Sequence, residues 1–112
     1  MFHSNYKEVV AEEVKEEGAR RAKIRWLITE KEGAKNFCMR LFEIEEGGFT
    51  PWHKHDWEHE VFILEGKGKI ITEKGEEELK PGDFLFIPPM EYHQFKNDSK
   101  GKLVFLCMIP IK

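Results

Sequence analysis

The chain lacks most of the features that place a protein in a class at once. Its 112 residues contain no apolar run near the ~20 residues that a membrane span needs. There is no block of Lys and Arg to track a phosphate backbone. The 18 basic and 21 acidic residues leave a net charge of −3, so neither a nucleic-acid nor a membrane partner is expected. Cysteine occurs only twice, as Cys38 and Cys107. The two lie far apart in apolar runs and form no CxxC pair, which excludes a zinc ribbon or a thioredoxin-type site. Two buried free thiols fit a reducing, cytoplasmic setting. The first fourteen residues mix Glu and Lys with isolated apolar residues, without the apolar core of a signal peptide. Glutamine appears once, as Gln94, against an abundance of Glu and Lys. That bias fits a thermophilic source, and it bears on stability rather than chemistry.

What is present reads as one compact domain over residues 1–112, with 40% hydrophobic and 35% charged residues. From residue 20 onward the pattern is of short strands punctuated by turns. Strands are expected at 22–28, 37–44, 59–64, 69–73, 77–80, 84–87, 92–96 and 103–109, with turn signals such as Glu46-Gly47-Gly48 and Pro81-Gly82-Asp83 between them. This spacing predicts an all-β sandwich or barrel rather than a parallel α/β sheet. Residues 1–20 form an N-terminal arm with two readings. Val10, Ala11, Val14 and Gly18 suit a short amphipathic helix ending at Gly18. They equally suit an extended arm packed on the barrel or on a partner subunit.

Four of the five histidines are concentrated. His53, His55 and His59 fall within seven residues, and His93 lies in a later strand. On an extended strand even intervals share a face, so three imidazoles point one way and a neighbouring strand brings the fourth. Such a set can surround one metal ion. A polar surface cluster is the competing reading, but the segment runs directly into Val61-Phe62-Ile63-Leu64 and is flanked by Trp52 and Trp57. Histidines beside core aromatics are costly to bury unless a metal or hydrogen bonds satisfy them. His59-Glu60-Val61-Phe62-Ile63 lacks the second histidine of HExxH, which excludes a zincin protease.

Spacing adds a family resemblance. Gly47, five residues, His53-Lys54-His55, then Glu58-His59-Glu60 and Gly66 resemble the first motif of the cupin superfamily, over 47–66. Gly82, five residues, Pro88, then Met90, His93 and Asn97 resemble the second, over 82–97. With the flanking strands, the resemblance extends to a core barrel over 37–109. It implies an antiparallel jelly-roll barrel, a double-stranded β-helix of six to eight strands, with a metal inside its mouth. Two departures stand out. Most metal-binding cupins place a glutamate after the HxH pair, and here the choice lies between His59 and Glu60. Six residues usually separate that ligand from the closing glycine, and counting back from Gly66 lands on His59. Strand parity agrees, which gives His53, His55, His59 and His93; a bulge between His55 and His59 would restore Glu60 instead. The segment is similar to that of small four-histidine cupins. The second departure is Met90, where motif two usually has glycine.

Four neutral imidazoles leave a divalent ion its full charge, making it a stronger Lewis acid that favours anions, peroxide or deprotonated substrates. Imidazole does not choose among the first-row metals. The resemblance points to manganese, iron or copper, with zinc or nickel as alternatives, and to oxidative chemistry. Alternation on 103–109 places Phe105 and Cys107 on one face, and the resemblance makes them candidates for the cavity wall. Cys107 is read first as a core thiol and second as an oxidisable neighbour of the metal. Arg40 interrupts an apolar strand, either as a snorkelling edge residue or as a cation for an anionic substrate. The expected function is a metal-dependent oxidoreductase, dioxygenase-like, acting on a small apolar molecule. The alternatives are a non-catalytic sensor that binds metal and ligand, or a metal-dependent sugar isomerase or epimerase. A homodimer is expected, since small barrels pair their edge strands.

Overall fold

The computed structural model describes residues 1–111. Nine strands run in the order β1 (Glu12–Glu13), β2 (Arg20–Ile28), β3 (Phe37–Phe49), β4 (His59–Glu65), β5 (Gly68–Thr72), β6 (Gly75–Leu79), β7 (Phe84–Ile87), β8 (His93–Lys96) and β9 (Leu103–Pro110). All pairings are antiparallel, and the sheet curls in the order β6-β5-β8-β3-β9-β4-β7, with β2 paired to β3 and β1 to the other edge of β2. This is the jelly-roll barrel. Among the described residues there is no α-helix, only single 3-10 turns at Tyr6–Glu8 and Glu30–Glu32. No helix is long and apolar enough to cross a membrane.

Alternation explains which side chains face inward. In β4, His59, Val61 and Ile63 are buried while Glu60, Phe62 and Leu64 are exposed, the period-two pattern of a strand with one face on a core. Ile44, Ile63, Leu103 and Phe105 are essentially inaccessible, and Phe105 stacks between Phe42 and Phe95 at centroid distances of 5.2 and 4.4 Å. These rings line the same cavity as the histidines. Asn97 of the second motif is a structural staple. Its buried amide donates to the carbonyls of Ile44 at 2.9 Å and Gly101 at 2.7 Å, satisfying backbone groups where the chain turns into β9. Gly66 is required because a Cβ there would run into the Lys102 carbonyl.

Several boundaries differ from the sequence expectation. The strand expected at 37–44 continues to Phe49, because Gly47-Gly48 bends it rather than ending it. A side chain at Gly48 would meet the Arg20 carbonyl oxygen at 2.7 Å, so the bend closes only with glycine. After the bend β3 leaves β9 and meets β8 at Phe49↔Lys96. The strand expected at 77–80 begins at Gly75, with the turn at Glu73-Lys74. In the arm the helical reading fails. Val14 N–H donates to the Ala22 carbonyl at 2.9 Å and β1 pairs with β2, so the arm is extended and packs on its own barrel.

Candidate metal centre

The histidines converge through cross-strand bonding rather than strand parity. Residues 51–58 are irregular, apart from the bridge at His53. His53 and His93 exchange backbone bonds at 3.3 and 2.9 Å, and Met90 N–H donates to the His55 carbonyl at 2.6 Å. The Thr50 hydroxyl accepts from Phe95 N–H at 2.9 Å, and Gln94 donates to the Thr50 carbonyl at 2.8 Å. The loop after β3 is thereby stitched to β8 and to the turn before it. Met90 adopts φ +68°, the left-handed conformation for which motif two usually supplies glycine. The departure from the motif keeps the turn, with the strain of a Cβ in that region.

One ring nitrogen from each of His53, His55 and His93 lies within 4.8 Å of the others. The ring of His59 stands just outside this triad, with its centroid 4.9 Å from that of His93 and 5.2 Å from that of His55. Glu60, the rival ligand, is exposed on the outer face of β4, opposite Phe86 and Met108. Two of the rings are oriented by hydrogen bonds at Nδ1. His93 Nδ1 lies 3.0 Å from the Glu91 carbonyl oxygen, which can only accept, so Nδ1 carries the proton and Nε2 keeps its lone pair. His53 Nδ1 lies 2.6 Å from Glu16 Oε2, the carboxylate–histidine arrangement that fixes tautomer and raises ligand basicity. His55 stacks on Trp57 at 4.3 Å, the planes within 7°.

Electrostatics keep His55, His59 and His93 neutral. Burial, then the neighbouring His53 and His93, push His55 from 6.5 down to about 4. Burial, then His93 and Arg40, take His59 down to about 3. Burial also lowers His93, against the Glu91 carbonyl, which raises it. At neutral pH these imidazoles offer lone pairs rather than positive charge. His59 Nδ1 is buried and has no hydrogen-bond partner, a state that a buried polar atom rarely keeps. Converging imidazoles, with one unsatisfied buried nitrogen on the neighbouring His59, fit a divalent transition metal.

The cluster lines a cavity of about 410 Å³ whose walls include Trp26, Phe42, Phe95, Phe105 and Ile109. Arg40, Phe105 and Cys107, the sequence candidates for this wall, all line it. Burial raises the Cys107 thiol above its ordinary value, with Arg40 opposing, so the sulfur is not poised as a thiolate. Sequence reasoning missed Glu16 and the arm segment 12–16, which form the cavity mouth. Nothing local ties Glu16 to a histidine 37 positions away; the pairing of β1 with β2 makes that contact.

A family model described as a cupin domain matches residues 40–109. Among solved structures, the polyketide cyclase RemF from Streptomyces resistomycificus is 37% identical, with a TM-score of 0.96 over 100% of this chain and 80% of that one. The 1-methylthio-D-xylulose 5-phosphate methylsulfurylase of Rhodospirillum rubrum is 34% identical over 71 residues, covering 63% of this chain and 46% of its own. Gentisate 1,2 dioxygenase 1 of Aquipseudomonas alcaligenes is 30% identical over 96 residues, 79% of this chain and 28% of its own. The relatives thus include dioxygenases, isomerases and a polyketide cyclase. The chain spans about half the length, or less, of the curated relatives it matches.

Proposed function

The chain belongs to the cupin family, and from that premise we propose that it is a metal-dependent enzyme acting on a small organic molecule, with dioxygenase-like oxidation as its reaction. The observation that carries this reading is the convergence of His53, His55 and His93 within 4.8 Å, with His59 beside them, in a largely apolar cavity. Bound by these imidazoles, a divalent manganese, iron or copper ion would supply Lewis acidity and a redox partner for dioxygen or peroxide. The chain's own residues do the rest. The low proton affinity of His55 and His59 keeps both available as ligands at neutral pH. Glu16 and the Glu91 carbonyl hold His53 and His93 in single orientations. The aromatic walls exclude water from a bound apolar substrate.

A second reading, ring closure or isomerisation without oxidation, has one observation in its favour. The Glu16 carboxylate sits at the cavity mouth, within hydrogen-bond reach of His53. It is a candidate proton acceptor next to a Lewis acid, and the likeness to a polyketide cyclase points the same way. Protein loaded anaerobically with Fe(II) or Mn(II) is then offered small phenols and enols in an oxygen electrode. Substrate-dependent consumption of dioxygen or peroxide is the expected result. Conversion without oxygen uptake would establish the second reading, and tight ligand binding with no conversion would make the protein a sensor. Elemental analysis of variants tests the site itself: His59→Ala lowers metal content much more than Glu60→Ala, and the opposite ranking overturns the four-histidine set.

A further inference from the structure

Two arginines on neighbouring strands show how this fold treats a half-buried cation. Arg25 of β2 is fully engaged: Nε pairs with Glu43 at 3.1 Å, and Nη1 donates to the carbonyls of Tyr6 at 3.1 Å and Val9 at 2.7 Å. Arg40 of β3 is not. Its side chain enters the cavity, where Nη2 donates to the Cys107 sulfur at 2.9 Å, and Nε is buried without a partner. Among the described residues no carboxylate forms an ion pair with it. Its guanidinium instead lies 5.5 Å from the centroid of Trp26 and 5.0 Å from that of Phe42.

A guanidinium keeps its charge at any physiological pH and presents five donors, and a thiol sulfur is a weak acceptor. The cavity therefore holds a permanent cation whose donors are largely unspent, beside histidines that carry no compensating charge. Lys15 at the mouth adds a further positive charge, and Glu12, Glu13 and Glu16 line the rim on the arm. Glu16 is committed to His53.

We propose that Arg40 is the anchor for a carboxylate, and that the ligand of this cavity is a small acid with a flat, apolar body. The carboxylate takes paired N–H bonds from the guanidinium, displacing the thiol as acceptor. The body packs against the Trp26, Phe42 and Phe105 side of the cavity and reaches toward the histidines. This proposal rests on the metal-dependent reading for what happens to the ligand, but not for its binding. The aromatic contacts of Arg40 alone account for its position in the strand; they do not account for a buried Nε with nothing to bond.

The test uses benzoate and phenylacetate against their uncharged amides, benzamide and phenylacetamide. Binding is followed by calorimetry and by tryptophan fluorescence, since Trp26 and Trp57 line the cavity. Each ligand is titrated into metal-loaded protein and into protein stripped with a chelator. The acids bind about tenfold or more tightly than the amides in both forms, the ratio expected of a charge-assisted pair. In Arg40→Gln the preference collapses while metal content stays at the wild-type level, and Arg40→Lys retains part of it. Equal binding of acid and amide to the wild-type protein, or no binding of either acid, overturns the proposal. So does a preference that survives Arg40→Gln, or one that vanishes on removing the metal, which would place the anion on the ion. Loss of metal binding with the acid preference intact would sink the metal reading and leave this one standing. Should Arg40→Gln fail to fold, the acid-to-amide ratio of stripped wild-type protein and of Arg40→Lys still decides.

Discussion

His55 and His59 titrate in acid far below an exposed imidazole, and the metal-free protein carries the consequence. In the unfolded chain both bind a proton near 6.5; in the fold they do so only at about 4 and about 3, chiefly because burial disfavours the charged form. Between those values the unfolded state binds more protons than the native state. Stability therefore falls as pH drops through 6.5 toward 3, and it is level above that window. Melting curves of chelator-treated protein at stepped pH check this: the midpoint declines below pH 6.5, and His59→Gln makes the decline shallower. A midpoint level down to pH 4 would show that these rings are solvated. The same residues mark how far single positions were legible. Spacing singled out His53, His55, His59 and His93, since chemistry that needs several imidazoles leaves them close in sequence. The reason for their convergence was not legible, because it lies in the His53–His93 bridge and the Met90 bond to His55. Glu16 left no signal at all, a lone glutamate among many in a charged arm.

Strands β4, β5 and β8 alternate inward and outward residues between clear turn signals, and that made them readable. The elements that departed from expectation are those whose form depends on a distant neighbour. Gly47-Gly48 has the look of a turn, and only the Arg20 and Arg21 carbonyls above Gly48 explain a strand that bends and changes partner. The arm had a helical pattern of its own, but its form is set by pairing with β2 and by Arg25, which links the Tyr6 and Val9 carbonyls to Glu43. Replacing Arg25 with Met removes that link and leaves Glu43, 9% exposed, with Lys102 at 3.9 Å as its remaining cation. A loss of about 2 kcal/mol is expected for an under-satisfied, largely buried carboxylate. Local opening comes first: the amides of Val9 and Val14, bonded to Tyr6 and Ala22, exchange with solvent faster in the variant, while those of β9 keep their protection. Unchanged exchange at Val14 would mean that the β1–β2 pairing alone secures the arm and the contact of Glu16 with His53.

At the scale of the whole molecule the cavity face and the opposite face of the barrel differ in a way the composition conceals. Phe62, Leu64, Phe84 and Phe86 all point outward from β4 and β7, where register places Phe62 directly opposite Phe84. Phe84 is 79% exposed and Phe86 56%. Leu106 and Met108 continue the same outer face on β9, opposite Phe62 and Glu60. A contiguous apolar face of this kind is uncommon on a monomer, and β7 is also a terminal strand of the sheet, with one backbone edge unpaired among the described residues. A second copy related by a two-fold axis meets both needs at once, since an isologous contact sets the same apolar patch against itself. Sedimentation of the protein at micromolar concentration is expected to give a dimer. Introducing like charges with Phe84→Glu and Phe86→Glu sets the same charge against itself across the two-fold and shifts the species toward the monomer. Metal content does not change, because neither residue lines the cavity. A wild-type monomer across that range overturns the dimer, and a double variant that remains dimeric assigns the pairing surface elsewhere on the barrel.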